Sequence, residues 1–396
     1  MYPSVASSVK SGSFPAVGGG RGVNLLPSRP TLPALIIYGQ SLAIGDTKSI
    51  LTGAAGPSAT HKMLGDASGS STRFNRFDGG AAKTADRFIA LEEKYEGTMG
   101  QTSLTGALEG MPRAWLGMAG GLGATTIANM SSGTNPYTRL TQNMTNMQTV
   151  GALPAVFVFW QGQQDNIANT KAAYKASLTT LKADVIAASG NPDLIFAVIV
   201  ISGANNSTNT CAGTLAISEM IREGSIAGIA ADYFLTYNKD DPHPWQEGQT
   251  WMGAYIQRYI NKAARGLPYD TMRMTGATRT GATVVIDCTM AATLDTTNYH
   301  PVTQWGFKVS DSTGGADIAV NNVTVNGTQI TLTLASTPTG QAIVRYALDY
   351  AKISDWSLSN PNTAGNIYSA SLDRCSILGK SYPMHHWLTP DQITSV

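Results

Sequence analysis

The chain mixes short, continuous apolar runs with stretches in which apolar residues recur every three or four positions. Leu35–Tyr38, Ala155–Trp160 and Leu194–Ser202 are runs of strand length, the pattern of strands buried on both faces. Trp115–Ala119 is a weaker run, and Tyr233–Tyr237 predicts a further strand. Between the last two strong runs, Ala172, Leu178, Leu181, Val185 and Ile186 fall at helical spacing. After Pro244, Met252, Tyr255, Ile256, Tyr259 and Ile260 share one helix face. Strands separated by helices predict a parallel sheet with helices on both faces. We assign this α/β unit to residues 34–265.

Near Gly266 the period shortens to two. Val323 to Leu334 alternates Val, Ile and Leu with Thr, Asn and Gln, and Asn326-Gly327 can supply the positive backbone angles of a tight hairpin. Val284–Asp287 and Ala342–Leu348 also read as strands. Residues 266–396 are therefore expected to form a separate all-β domain, a sandwich or jelly roll. Residues 1–33 are rich in Ser, Gly and Pro and read as an arm or linker.

Composition narrows the function classes. Of 396 residues, 42% are hydrophobic and only 13% are charged, with a net charge of +1. Disorder needs low hydrophobicity and high net charge. Nucleic acid or an anionic membrane as main partner would need a basic surplus. The longest apolar runs span about eight residues, against about 20 for a membrane helix, and no signal peptide is visible near the N-terminus. The three cysteines, Cys211, Cys288 and Cys375, have neither the number nor the spacing of a disulfide framework or zinc site. Cys211 is expected as a free thiol in a polar loop. His385-His386 lacks acidic or Cys partners at ligand spacing and reads as a surface or interface pair, so no metal or other cofactor is expected. What remains is a neutral surface of Ser, Thr, Asn, Gln and Gly, frequent outside cells and on proteins that handle sugars.

Open parallel sheets hold their sites at the carboxyl ends of strands. Ser41 stands there, directly after the first strand, in Tyr38-Gly39-Gln40-Ser41. A serine nucleophile needs a base. Of five histidines only His243 has an aspartate three residues before it, in Asp240-Asp241-Pro242-His243. At that offset Asp240 can accept from one ring nitrogen while the other faces the serine, which fixes the tautomer. The Gly-x-Ser-x-Gly elbow of α/β-hydrolases is absent.

With these residues placed, the sequence resembles the SGNH (GDSL-type) hydrolases, most of all the sialate O-acetylesterase-like carbohydrate esterases. Gly39-Gln40-Ser41 is similar to their first block, Gly123–Ala128 to the second, Phe159–Asp165 to the third and Asp240–His243 to the last, in the family's order. Ala124 replaces a Gly and Gln163 a Glu of the family pattern. The resemblance implies a three-layer α/β/α, flavodoxin-like hydrolase domain and a Ser41–His243–Asp240 triad. It implies an oxyanion hole of the Ser41 N–H, the Gly123 N–H and the Gln161 side chain. Gln40, Trp160, Gln163 and Asp165 would line the substrate cleft, and Trp160 and Trp245 could either stack on a sugar or belong to the core. The implied reaction is removal of O-acetyl groups from a polysaccharide.

Gly97-Thr98, Leu104–Leu108, Ser132–Tyr137, Gly365–Ile367 and His386-Trp387 also resemble stretches of phage-encoded members. That resemblance implies a virion or extracellular location, with attachment through the N-terminal arm or a homotrimer. Two other readings stay open: a silent glycan-binding or structural tail protein, and a lipase or long-chain acylesterase of the same superfamily.

Overall fold

A computed structural model describes residues 32–45, 60–65, 87–91, 102–202, 211–236, 243–348, 364–377 and 379–396. Gly97-Thr98, Asp240–Pro242 and all of the expected arm up to residue 31 lie outside them. The arm's last two residues are already strand: β1 runs Leu32–Gly39 and takes in Pro33.

Six further strands join β1 in one sheet: β2 (Lys62–Gly65), β3 (Arg87–Ala90), β4 (Leu116–Gly121), β5 (Ala152–Trp160), β6 (Ile195–Val200) and β7 (Ala227–Ala231). Their order is β3-β2-β4-β1-β5-β6-β7. All neighbours are parallel except the edge pair β2–β3. β1, β4 and β5 are buried along almost their whole length, as their unbroken apolar runs predict. The order reverses at β1: the chain first goes out to β2 and β3, comes back to β4 beside β1, then crosses to β5 on the other side of β1. Such a switch point opens a crevice at the carboxyl ends of the strands.

The crossing helices are α3 (Asn135–Thr149), α5 (Lys171–Ser189), which the short α4 (Asp165–Ala168) precedes, and α6 (Ala212–Arg222), while α2 (Thr102–Leu108) packs against α7 (Gln246–Ala264). In α5 the buried stripe is Tyr174, Leu178, Leu181 and Val185; the expected Ala172 is exposed, and Tyr174 takes the inward position. α3 escapes a periodicity reading because polar Arg139, Asn143 and Asn146 share its buried face with Leu140, Met144 and Met147.

The expected strand at Tyr233–Tyr237 is displaced. β7 lies just before it, in the small residues Ala227–Ala231, whose side chains give little strand signal. Tyr233, Phe234 and Leu235 form a buried turn instead. Their apolar run reflects packing against the C-terminal region rather than sheet pairing.

After α7 the chain is antiparallel β. The strands are β8 (Met274–Thr280), β9 (Thr283–Cys288), β10 (Thr293–Leu294), β11 (Phe307–Asp311), β12 (Val320–Asn326), β13 (Gln329–Leu334), β14 (Ala342–Tyr346), β15 (Ile367–Ser369), β16 (Arg374–Ile377), β17 (Lys380–Pro383), β18 (His386–Trp387) and β19 (Asp391–Thr394). They form the sheets β12-β13-β9-β8, β11-β14-β19, β10-β15-β18 and β16-β17. The β12–β13 hairpin turns one residue later than expected. Asn326 pairs with Gln329, and the two-residue loop is Gly327-Thr328. Of those two only Gly327 has positive φ, the requirement of a II′ turn.

Cys211 is not in a polar loop. It is buried at the start of α6, and its Sγ lies 3.4 Å from Leu348 O. No disulfide joins any two of the three cysteines. Among the described residues no group of His, Cys, Asp and Glu could hold a metal, and no helix is long and apolar enough to cross a membrane.

Candidate active site

The ends of β4, β1 and β5 converge with no side chain between them. A Cβ on Gly39 would lie 2.0 Å from Trp160 O, and one on Gly121 1.7 Å from Gly39 O. Leu122 N–H donates to Gly39 O and Gln40 N–H to Trp160 O, so the loops leaving the three strands start from one point. Ser41 opens the short helix α1 (Ser41–Ile44), preceded by extended Gln40 and ended by left-handed Gly45. Its first-turn N–H has no intrahelical acceptor. Among the described residues the Ser41 and Gly123 N–H groups have no hydrogen-bond acceptor. A Cβ on Gly123 would stand 4.0 Å from that of Ser41.

His243 Nε2 lies 2.7 Å from Ser41 Oγ, across 202 residues of sequence. Three contacts hold the segment that runs from His243 into α7. Trp245 N–H donates to Thr236 O at 2.8 Å. Gly248 lets the first turn of α7 approach Thr236; a Cβ there would meet Thr236 O at 2.6 Å. Gln249 Nε2 donates to Leu42 O at 3.2 Å, tying α7 to α1. Asp240 lies outside the described residues.

Three expected site residues have other surroundings. Gln161 is fully buried. Its Nε2 donates to Thr125 O at 2.9 Å and to Asp165 Oδ2 at 2.5 Å, and its Oε1 accepts from Tyr174 Oη at 3.1 Å. Both amide hydrogens are engaged inside the protein, so Gln161 presents no donor to an oxyanion. Asp165 is fully buried and accepts from Ile127 N–H, Gln161 and Asn169. It braces the loops after β4 and β5 and touches no solvent. Trp160 is fully buried, its indole N–H directed at Asp232 Oδ2 at 3.3 Å, which leaves no face for a sugar. Trp245 is half-buried at the start of α7. Gln40 and Gln163 both have a buried side-chain oxygen without a hydrogen-bond partner among the described residues.

The sequence reading missed Asp232 and Tyr174. Asp232 directly follows β7, fully buried. It accepts from Ser202 N–H at 2.9 Å, from Trp160 and, at 3.5 Å, from Gln163 Nε2. Burial pushes its carboxyl up to about 6, against the lowering effect of these hydrogen bonds. Correct placement of β7 would have put it at a strand's carboxyl end. Tyr174 sits on the inward stripe of α5, and burial holds its hydroxyl well above the ordinary tyrosine range.

Residues 116–262 match the family described as carbohydrate esterase, sialic acid-specific acetylesterase. The resemblance to the carbohydrate esterases holds. The match runs from β4 to the last turns of α7 and includes Gly123, the Gln161–Asp165 stretch and His243. The α/β region is that of a carboxylic ester hydrolase. No curated protein matches the chain. Among solved structures, a carbohydrate acetylesterase from Xanthomonas citri shares the fold at 12% identity and a TM-score of 0.60, over 91% of this chain and 80% of that one. A carbohydrate acetylesterase from Sinorhizobium meliloti aligns at 12% identity and a TM-score of 0.36, over 58% of this chain and 98% of that one. An Arabidopsis thaliana protein aligns at 15% identity and 0.43, over 59% and 99%.

Proposed function

We propose that the esterase removes O-acetyl groups from a polysaccharide through an acetyl-enzyme on Ser41. The observation that carries this reading is the 2.7 Å contact between Ser41 Oγ and His243 Nε2 at the switch point of a carbohydrate-esterase fold. His243 Nε2 takes the hydroxyl proton as Oγ attacks the acetyl carbonyl carbon. The oxygen that becomes negative is met by the N–H groups of Ser41 and Gly123, both without an acceptor among the described residues. The tetrahedral carbon then expels the sugar oxygen, which receives the proton from His243. Water repeats the sequence on the acetyl-enzyme, with His243 again as base, and releases acetate. Asp240, three residues before His243, is the acid we assign to hold the imidazolium. Removing one oxyanion donor typically costs about 100- to 1,000-fold in rate.

The neutral polar surface supports a hydrated, uncharged sugar chain as the substrate's context. We place the protein outside the cell or on a phage tail, on the sequence stretches that resemble phage-encoded members. Attachment through the N-terminal arm or as a homotrimer belongs to that proposal. Hydrolysis of acetyl, butyryl and octanoyl esters by wild type and Ser41→Ala tests the reading. Acetyl preference that vanishes in Ser41→Ala is expected. Octanoyl preference would make the protein a lipase, and an inert wild type would leave a binding protein.

A further inference from the structure

The loop from Gly121 to Ile127 carries Gly123, and a buried hydrogen-bonded chain holds it from beneath. Tyr174 Oη donates to Gln161 Oε1 at 3.1 Å. Gln161 Nε2 donates to Thr125 O at 2.9 Å and to Asp165 Oδ2 at 2.5 Å. The same Oδ2 accepts Ile127 N–H at 2.8 Å, while Oδ1 accepts Asn169 Nδ2 at 3.0 Å. Tyr174, Gln161 and Asp165 have no exposed surface. Asp165 is thus the junction at which the loop after β4, the end of β5 and the helix that Asp165 opens are tied together.

What this junction opposes is visible one residue beyond Gly123. Ala124 has φ +50°, a left-handed conformation that costs a non-glycine residue free energy because its Cβ crowds the next carbonyl. Left alone, the segment would relax out of that conformation and swing the Gly123 peptide with it. The clamps act on Thr125 and Ile127, one and three residues after the strained residue.

We infer that Asp165 is a positioning residue for ester hydrolysis. Through Ile127 N–H and Gln161 it holds the strained Ala124 loop so that Gly123 N–H stays beside Ser41. Asp165 touches no substrate. The inference rests on the acyl-transfer reading above, in which the Gly123 N–H meets the developing oxyanion. A donor that matters only when the oxyanion forms moves kcat and leaves KM nearly alone.

The test compares steady-state kinetics on an acetyl ester for wild type, Asp165→Asn, Tyr174→Phe and the double variant Asp165→Asn/Ala124→Gly, each with a melting temperature. Asp165→Asn replaces one acceptor oxygen by a donor that faces N–H groups. Its kcat should fall about 10- to 100-fold with KM within about threefold. Tyr174→Phe removes only the outermost hydroxyl and should lower kcat about three- to tenfold. Should Asp165→Asn not fold, this variant decides. Glycine at 124 removes the left-handed penalty, so the double variant should recover about fivefold in kcat over Asp165→Asn. Because that glycine also relieves strain in the folded chain, kcat is compared well below the melting temperature of every variant, where a loss of stability alone leaves kcat unchanged. Wild-type kcat in a folded Asp165→Asn, or a loss confined to KM, would overturn the inference. Failure of the hydrolase reading itself appears separately, as wild type that releases no acetate.

Discussion

At the scale of single residues, the site is made by absent side chains as much as by present ones. Gly39 and Gly121 let three strand ends meet, and Ser41 and Gly123 become neighbours as a result. Gly121→Ala would drive a Cβ into Gly39 O, 1.7 Å away. Backbone must move to relieve that contact, so esterase activity should fall at least 100-fold, a decline the acetyl-ester assay would register; unchanged activity would show that the strand ends are not so constrained. The contact between Ser41 and His243 was legible in the sequence because a serine directly after a strand and a histidine three residues after an aspartate make a pattern in one dimension, although the strand before His243 ends earlier than expected, at Ala231. Gln161 and Asp165 have other surroundings than expected for the opposite reason, while Trp160 takes the core position that was one of its two readings. Whether an amide faces a cleft or a core depends on Thr125, Tyr174 and Asp165 arriving beside it, and nothing in the local sequence states that.

At the scale of elements, continuous apolar runs located β1, β5 and β6, and the 3.6-residue period located α5 and α7. β7 was missed because Ala and Gly carry no strand signal, and with it went Asp232. The Asp232 carboxyl rises from an ordinary 3.8 to about 6 because it is buried. The folded chain therefore keeps a proton that the unfolded chain releases above pH 4. The associated stability is full below about pH 4 and is lost as pH rises through about 6. Asp232→Asn removes this term. Its melting temperature minus that of wild type should climb between pH 4 and 7, from whatever offset the altered hydrogen bonds set. A difference that stays flat over this range would mean that Asp232 does not hold its proton in the folded state.

At the scale of the whole molecule, the expected separation into an α/β domain and a β domain is less sharp in space than in sequence. Both regions contribute to one contiguous hydrophobic cluster. Trp387 of β18 stacks on Phe234 at 4.8 Å, and Tyr233 and Tyr299 meet it edge-on. Trp251 Nε1 donates to Pro383 O and Tyr255 Oη to His385 O. Arg258 reaches Met384 O and His386, whose imidazole burial holds down at about 4. His385-His386 thus lies at the joint between the two regions. A chain ending at residue 265 would expose Phe234, Trp251 and Tyr255 together, and it should aggregate on expression. Trp387→Ala should cost about 3–5 kcal/mol, measurable by denaturant unfolding. A soluble, active 1–265 fragment would contradict this picture. The low charge that first suggested a sugar-handling surface says nothing of this joint, because aromatic residues make it.

The central claim is that Ser41, activated by His243, carries the acetyl group between sugar and water. Acid quenching of wild type during turnover of an acetyl ester, followed by mass analysis of its peptides, tests it most directly. One acetyl group is expected on the peptide that contains Ser41, and none in Ser41→Ala or His243→Ala. An acetyl group trapped on another residue, or acetate released by Ser41→Ala at the wild-type rate, would contradict it.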